Sequence, residues 1–449
     1  MNHKALTRLL ASALLGTTFT IYTTAPAQAA DPVTAYVASK VLPDMPTINP
    51  IKVAGKLLGL VSDSDDDFKK GKKIDKNYKF KATKIVNDTK TFKKSLTNTK
   101  DNENVILVQK TGHAKLKNAN LSKTGNADSE GLALWRGQNA ALLVAPYSKA
   151  TLTNSTIRTQ GRGAAALVGS GKGVAVQANG VTLRTNGAVS PGLSLTYGAQ
   201  ATLKQSAIST QGDRSPAIVI GSQTKSELTA TNLQLTTDGF NSPLMSATGT
   251  MKLITVTGEA RHSALGQLEG TTNVHLTNAN LSGTDGFTLY FSDLNTADEG
   301  TTQLTIQNSQ LRNTGRTPFF TVANTKGEIK LQQVELQAPH STTILEAKAS
   351  EWGRNGKNGG QVKLLANKQT LNGHIKADSI SSVTIKLNQG STLTGAINPN
   401  NTAKKASLTL SKNSIWNVTA DSYLTELNNE DSSNSNIHTN GYTVHMVKK

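Results

Sequence analysis

A six-residue pattern returns along most of this chain and limits the folds that the chain can adopt. Two apolar residues stand five positions apart, and the residue two positions after the first is asparagine or another turn-tolerant residue. The closest pair of copies is LKNANLSKTG, which starts at Leu116, and LTNANLSGTDG, which starts at Leu276. The second apolar residues of the copies are Leu121, Ile157, Leu183, Ile208, Leu235, Leu281, Leu311 and Leu336.

These copies recur with a period of about 25 residues, and each carries the pattern of short strands. The interval from Leu235 to Leu281 is nearly double, which predicts one degenerate copy within LITVTGEARHSALGQLEG. A Thr/Gly turn and a second short apolar run follow each copy, as in IRTQGRGAAALVG. Alternating runs of three to five residues bounded by Gly, Asn, Asp or Pro indicate strands. We predict an all-β chain, a right-handed parallel β-helix with one copy per turn.

The asparagine in the pattern has two physical roles in such a fold. Asparagine tolerates the left-handed backbone conformation that a tight bend demands. Its amide can also pair with the equivalent amide on turns stacked about 4.8 Å above and below. Gly180 at this position supports the first role, and Gln205 and Gln333 support the second. We therefore expect Asn118 and Asn278 to belong to the scaffold, so that function lies at the variable outward positions.

Composition narrows the chemistry that the chain can perform. Cysteine is absent, which excludes disulfides, thiolate nucleophiles and cysteine-based metal sites. The formal net charge is +18, which favours contact with anionic polymers or surfaces. The basic residues have few interleaved aromatic residues, so we expect no nucleic acid partner.

The N-terminal residues predict export. Residues 1–30 combine Lys4 and Arg8, the apolar stretch LLASALLGTTFTIY and small residues at Ala27 to Ala29, as in a cleavable signal peptide. No later segment has the roughly 20 apolar residues of a spanning helix, so we expect no transmembrane segment in the mature chain. We expect the mature protein to be secreted, to lie at the cell surface or to remain in the periplasm.

Residues 31–100 differ in composition from the rest of the chain. Asn49-Pro50 followed by apolar residues at helical spacing predicts an amphipathic helix, which would cap the first turn of the repeat. The acidic and then basic run DSDDDFKKGKKIDKNYKFK is typical of a linker. We predict a helical, charged N-terminal cap and linker over 31–100 and the β-helix over 101–449.

The repeat and the C-terminal segment together resemble the β-helical passenger domains of pertactin-like autotransporters. LTLSKNSIWNVTADSYLTELNN, from Leu408, is similar to the segment that closes such passengers. The resemblance implies that the following residues stack on the last turns: Trp416, Thr419, Asp421, Ser422 and Leu427. The residues after Trp416 are too few for the many strands of an outer-membrane barrel. We expect a passenger-like chain that lacks the C-terminal translocator barrel, with a role in adhesion or virulence.

Catalytic chemistry has a weaker basis in the sequence. Enzymes that cleave polysaccharides on this scaffold need carboxylates that converge in one groove. Asp213, Asp238 and Asp285 occupy comparable turn positions, which can align them along one edge, although turn chemistry also favours Asp there. GDRSPAIVIG, around Asp213 and Arg214, is the best single candidate segment. The histidines show no ligand spacing, and we predict no catalytic residue, metal ligand or cofactor.

The sequence favours binding over catalysis. We expect an adhesin-like surface-interaction protein that binds glycan, a host surface or other copies of itself through aligned Thr, Ser, Asn and Lys. The alternative is a polysaccharide lyase or glycoside hydrolase, and a third possibility is a secreted structural component with no direct ligand. Three acids aligned in one groove would favour the enzyme. A groove lined by Leu and Thr, with charge on flat faces, would favour binding.

Overall fold

Parallel pairing joins the described strands to the strands one turn earlier and one turn later. The computed structural model describes residues 79–221, 225–292 and 300–448. They form a parallel β-solenoid of about 14 turns with about 25 residues per turn, which confirms the predicted fold class. The signal peptide, the N-terminal helical cap and most of the linker lie outside the described residues.

The strands are short near the N-terminus and longer in the middle of the solenoid. The early strands are β1 (Lys81–Val86), β2 (Thr89–Phe92), β3 (Leu96–Asn98), β4 (Glu103–Val108), β5 (His113–Lys117), β6 (Asn120–Lys123), β7 (Leu142–Val144), β8 (Lys149–Thr153), β9 (Thr156–Thr159), β10 (Leu167–Ser170), β11 (Ala175–Asn179), β12 (Thr182–Thr185) and β13 (Leu193–Thr196). The middle strands are β14 (Gln200–Thr210), β15 (Ile218–Gly221), β16 (Glu227–Thr237), β17 (Met245–Ala247), β18 (Thr250–Glu269), β19 (Thr272–Tyr290), β20 (Thr301–Asn313), β21 (Phe320–Ala323) and β22 (Lys326–Gln337).

The last turns return to short strands, which close the stack. They are β23 (Thr343–Lys348), β24 (Gln361–Asn367), β25 (Thr370–Asn372), β26 (His374–Ala377), β27 (Ser382–Asn388), β28 (Thr392–Thr394), β29 (Lys405–Leu410), β30 (Ile415–Asn417), β31 (Ser422–Leu424), β32 (Glu426–Asn429), β33 (Ile437–His438) and β34 (Val444–Met446). Of the described segments, no helix has the length and apolarity needed to cross a membrane.

The stacked strands define three faces. Face 1 begins with β1, β4, β7 and β10, face 2 with β2, β5, β8 and β11, and face 3 with β3, β6, β9 and β12. From β14 onward single strands run through the corner from face 2 to face 3, as in β14, β16 and β20. Successive turns therefore stay in register on two faces at once.

The repeat residues stack one above another as the period predicts. Leu121 is in register with Ile157, and the same column continues through Leu183, Ile208 and Leu235 on face 3. Gly258 then fills the predicted degenerate copy, because it pairs with Leu235 on one side and Leu281 on the other. Leu116 and Leu276, which open the two closest copies, are fully buried and lie six turns apart on face 2.

The corner at the asparagine position is defined by a left-handed backbone conformation. The corner residues Asn118, Asn154, Gln205, Asn232, Thr255, Asn278, Asn308 and Gln333 have φ between 45° and 55°, and Gly180 has φ 65°. Asn118, Asn154 and Asn278 are exposed, and their side-chain amides form no hydrogen bonds with one another within the described residues. The left-handed role of the corner residue is confirmed, whereas the expected amide ladder is not formed.

Serine hydroxyls replace the expected amide ladder beside this corner. The Oγ atoms of the buried Ser155, Ser206 and Ser309 accept hydrogen bonds from backbone N–H groups one turn away, at 3.0 to 3.2 Å. The same hydroxyls donate to carbonyl oxygens two residues before them. A buried polar group with both donor and acceptor satisfied stabilises the interior instead of destabilising it.

The inward residues form one continuous apolar core along the described solenoid. Leu, Ile, Val and Ala predominate, and Phe287, Phe319 and Phe320 form a local aromatic cluster. Near the C-terminus Trp416 is fully buried, and its Nε1–H donates to the carbonyl oxygen of Gly395 at 2.9 Å. The segment that was expected to close the stack therefore packs on the last turns.

The solenoid extends N-terminally of the boundary predicted at residue 101. Strands β1, β2 and β3 form a complete turn over Lys81–Asn98. The positions in register with the buried Ile106 and Ala114 are occupied by Lys84 and Lys90. This turn therefore lacks the apolar pattern of the repeat, and lysine also suits a terminal strand because it discourages edge-to-edge association.

Within the described residues one helix interrupts the strands, and the sequence pattern does not predict it. Helix α1 (Glu130–Arg136) starts at Ser129, whose side chain caps the N–H of Leu132, and ends at Gly137 with φ 76°. It covers the outside of face 1, where Leu107, Leu143 and Val168 form a second small apolar cluster with Ala140 and Ala165. The carbonyl oxygen of Trp135 accepts a hydrogen bond from the hydroxyl of Thr196 at 2.7 Å.

A buried lysine lies in an otherwise small polar column of face 3. Lys123 is in register with Asn98 and Thr159 and is fully buried. Its Nζ donates to the carbonyl oxygen of Lys100 at 2.7 Å. Loss of hydration on burial lowers the pKa of Lys123 to about 8, although Asp101 and Glu103 oppose this shift.

Asn278 and Asn280 provide a matched pair for testing the corner. Both are exposed, but Asn278 has φ 54° at the corner whereas Asn280 lies in the strand beyond it. We expect Asn278→Ala to lower the free energy of unfolding by about 1 kcal/mol, because a Cβ-bearing residue without a local polar group is strained there. Asn278→Gly should preserve stability, and Asn280→Ala should change it by less than about 0.5 kcal/mol. Equal urea midpoints for Asn278→Ala and Asn280→Ala would contradict the role of the corner.

The lowered pKa of Lys123 predicts that the free energy of unfolding changes with pH in the alkaline range. Its pKa is lower in the folded chain, about 8, than the ordinary 10.5, so the folded state releases the proton first as pH rises. Stability should increase between pH 8 and pH 10.5 by roughly 3 kcal/mol relative to Lys123→Met, since each pKa unit corresponds to about 1.4 kcal/mol. Urea titrations at both ends of this range measure the difference, and Lys117→Met, at an exposed position of β5, is the control. Parallel pH profiles for wild type and Lys123→Met would exclude this coupling.

Candidate functional site

The edge between face 3 and face 1 is built by two columns of small residues. A Cβ at Gly161, Gly187 or Gly212 would collide with the carbonyl oxygen of the glycine one turn earlier, so only glycine fits this column. Beyond it, the N–H of Ser190 donates to Ser215 Oγ at 2.9 Å, and the N–H of Ser215 donates to Ser242 Oγ at the same distance. These contacts hold successive turns of the edge rigidly together.

The three aspartates singled out by the sequence lie at this edge but at different positions within it. The carboxylate of Asp213 accepts the N–H of Phe240 on the next turn at 2.9 Å. Asp213 therefore aligns with Phe240, which lies two residues after Asp238, and not with Asp238 itself. Asp238 lies 3.6 Å from the guanidinium of Arg261. Asp285 accepts the hydroxyl of Thr317 at 2.9 Å. Each carboxylate is engaged locally, and the three do not form one column.

The segment around Asp213 and Arg214 has a structural role in this arrangement. Arg214 donates to the carboxylate of Glu130 at 3.0 Å, and Arg162 contacts the same carboxylate. Glu130 is the first residue of α1, so these two arginines hold the helix against the solenoid. Across the described residues, no group of three His, Asp or Glu side chains has a geometry suited to a metal ion.

A shallow, open groove of about 610 Å³, with polar and apolar groups in similar proportion, lies on the same edge near the C-terminal turns. This volume falls within the range of small-molecule sites. The groove is lined by Arg312, Leu336, Gln337, Ala338, Pro339, Ser341, Thr342, Asn372, Gly373, His374, Thr394 and Thr419. Guanidinium, imidazole, amide and hydroxyl groups line it, and carboxylates are absent from the lining. We call it the edge groove.

Arg312 and His374 are the two basic residues of the edge groove. Arg312 projects from face 3, in register with Ser282 before it and Gln337 after it. The Nδ1 atom of His374 accepts the backbone N–H of Ala396 at 3.0 Å. Desolvation, and to a lesser extent Lys376, lowers the pKa of His374. Near neutral pH the ring is therefore uncharged, with its proton on Nε2 as a fixed donor.

Neither basic residue of the groove was singled out by the sequence. Arg312 directly follows the repeat residue Leu311, so a search of the positions next to the repeat would have found it. His374 lies where the period loosens, and the loop over 349–360 separates it from the preceding turns. Sequence spacing gives no signal that could have placed His374 beside Arg312.

The outward side of face 2 carries the aligned polar residues that the sequence predicts. Thr202, Thr229, Lys252, His275 and Thr305 follow one another in register. Desolvation lowers the pKa of His275, and the nearby Lys252 and Lys330 lower it further. Lys252 and Lys330 therefore place positive charge on face 2, whereas the groove lies on the edge between face 3 and face 1, which does not border face 2.

The protonation state of His374 can be tested directly. Because the pKa of His374 is lower in the folded chain than the ordinary 6.5, the unfolded chain takes up this proton first as pH falls. Stability should therefore decrease below about pH 6.5, and His374→Gln should reduce this decrease. The nitrogen-15 NMR spectrum of the ring should show an unprotonated Nδ1 at neutral pH. A protonated Nδ1 would be incompatible with the Ala396 contact, and His340→Gln, at an exposed position, is the control variant.

Comparisons with known proteins provide no relative. A scan against protein-family models finds no match, and searches of curated proteins and of solved structures find no significant match. The likeness to pertactin-like passengers therefore rests on the residues and on the solenoid geometry alone.

Proposed function

We propose that this chain is an exported, adhesin-like protein that binds glycan through the edge groove. The observation that carries the proposal is the groove lining, which combines Arg312, His374, amides and hydroxyls without a carboxylate. Such donors and acceptors match the hydroxyl-rich surface of a sugar, and Leu336 and Pro339 supply apolar area for the ring. Binding requires this complementarity and no reactive group.

The same lining argues against hydrolysis of a polysaccharide. Glycoside hydrolysis generally uses two carboxyl groups, one on each side of the scissile bond. Asp213 and Asp238 lie on turns N-terminal of the groove, and Asp285 is occupied by Thr317. The groove therefore lacks the pair of carboxyl groups that hydrolysis uses, and it offers donors and acceptors that can hold a sugar.

Charge favours an acidic glycan over a neutral one. The whole chain has a formal net charge of +18, which attracts anionic polymers over a distance. Within the groove, the planar guanidinium of Arg312 can bind a carboxylate or sulfate through two parallel hydrogen bonds. No anion in the lining competes for it.

The likeness to pertactin-like passengers is compatible with this role. The closing segment packs on the last turns, with the Asp421 carboxylate accepting the N–H of Thr443 at 2.9 Å. Ser422 Oγ accepts the N–H of Ile397 at 3.1 Å. With the predicted signal peptide, this favours a location at the cell surface or in the periplasm, where the protein would meet host or bacterial glycans.

Arg312→Gln tests the proposal against a matched variant. Arg184 occupies the same outward column of face 3 five turns earlier and is exposed, so Arg184→Gln makes the same charge change outside the groove. Acidic glycans should bind the wild type and Arg184→Gln alike. They should bind Arg312→Gln at least about tenfold more weakly, because the two charge-assisted hydrogen bonds of the guanidinium are lost. Glycan-array binding followed by calorimetry measures this difference.

An enzyme assay and a sedimentation assay run in parallel test the other functions. Ultraviolet absorbance from unsaturated sugar products would establish the lyase and overturn simple binding. Equal affinities of Arg312→Gln and Arg184→Gln would remove the groove from the proposal. A concentration-dependent increase in sedimentation without any glycan binding would favour self-association.

A further inference from the structure

An exposed aromatic residue lies on the same edge as the groove, several turns towards the N-terminus. The Phe240 side chain belongs to the turn that follows β16 and is 49% exposed. Its ring centroid lies 5.3 Å from that of His262, with an angle of 36° between the planes. His262 Nδ1 donates to the carbonyl oxygen of Asp238 at 2.6 Å, which fixes the imidazole. We call Phe240 and His262 the aromatic platform.

The platform is held rigidly, and the guanidinium beside it is paired with two carboxylates. The backbone N–H of Phe240 donates to the Asp213 carboxylate, which fixes the turn that carries the ring. Next to it, Arg261 lies 3.6 Å from the Asp238 carboxylate and 3.3 Å from the Glu259 carboxylate. The guanidinium is therefore neutralised locally. The platform is suited to stacking against an apolar ring face, and not to binding an ion.

The platform and the groove are separated by a distance longer than a single sugar. Three register steps lead from Leu235, before the platform, to Leu311, which directly precedes Arg312 of the groove. At about 4.8 Å per step the platform and Arg312 are about 14 Å apart along the solenoid. A monosaccharide cannot contact both, whereas an extended chain of several pyranose units can.

Small polar residues connect the two places. Along the outward column of face 3, Glu259 is followed by Ser282, then by Arg312 and Gln337. Ser282 is half-buried and offers a hydroxyl without bulk. Arg316, four residues after Arg312 in the sequence, is exposed on the turn after β20. The edge is thus polar from the platform to the groove and becomes more basic towards the groove.

We propose that the ligand is a linear acidic polysaccharide that lies along the solenoid axis, with one sugar ring stacked on Phe240 and an acidic group bound to Arg312. This inference rests on the proposed function and adds the length and direction of the ligand. Two separated contacts on one chain strengthen each other, since the second contact forms at high effective concentration. Affinity therefore depends on chain length, and the two contacts respond differently to salt.

Size-fractionated oligosaccharides of a uronic-acid polymer test this arrangement by calorimetry on the full chain. The octasaccharide should bind more tightly than the disaccharide. Phe240→Ala should weaken the octasaccharide about tenfold, as expected for truncation of an aromatic anchor, and leave the disaccharide unchanged. Arg312→Gln should weaken both. Raising the salt concentration should reduce the contribution of Arg312 and leave that of Phe240 nearly unchanged.

Matched variants guard against loss of folding. Phe240→Ala retains the backbone N–H that bonds to Asp213, and Phe240→Trp should keep the octasaccharide affinity. Tyr147→Ala removes another exposed aromatic side chain, at the edge between face 1 and face 2, and should have no effect. Equal affinity for all lengths, or no effect of Phe240→Ala, would overturn the inference and leave the proposed function intact. No binding at any length would overturn both.

Discussion

Parallel register between successive turns is the constraint on which the rest of this structure depends. A single turn buries almost nothing, because its inward Leu, Ile and Val become covered only when the next turn stacks upon it. Columns such as Leu121 to Ile157 to Leu183 show that the stacking is kept residue by residue. The same register aligns the outward residues, so scaffold and binding surface are specified together.

The sequence predicts the part of the fold that repeats. The apolar pairs five residues apart, the turn-tolerant residue between them and the degenerate copy at Gly258 all follow from one period. Sequence reasoning fails where a turn departs from that period. In the first turn the exposed Lys84 and Lys90 are in register with inward residues of the next turn, and α1 lies in extra residues between Leu121 and Ile157. Its cap residues, Ser129 and Gly137, carry a helix signal that strand periodicity conceals.

The candidate site could be predicted only in its general location. Asp213, Asp238 and Asp285 drew attention to the correct edge, but a difference of one or two residues within a turn separates their columns. The groove combines Arg312 and His374 from turns separated by a long loop, and their proximity depends on three-dimensional stacking. The backbone N–H of Ala396 donates to Nδ1 of His374 and so fixes where the ring carries its proton, but no sequence spacing predicts this hydrogen bond.

The corner between faces 2 and 3 has a further consequence for how such a chain can vary. The apolar residues on its two sides stay five positions apart from Leu116 and Leu121 through Leu331 and Leu336. The other two edges accommodate α1 and the loop over 349–360. Long insertions are therefore tolerated at two edges. Across the described turns the third edge departs from the five-residue spacing by a single residue, from four positions between Phe92 and Leu96 to six between Leu387 and Leu393. Loops at the other two edges can therefore change one at a time without altering the stacked residues of the core.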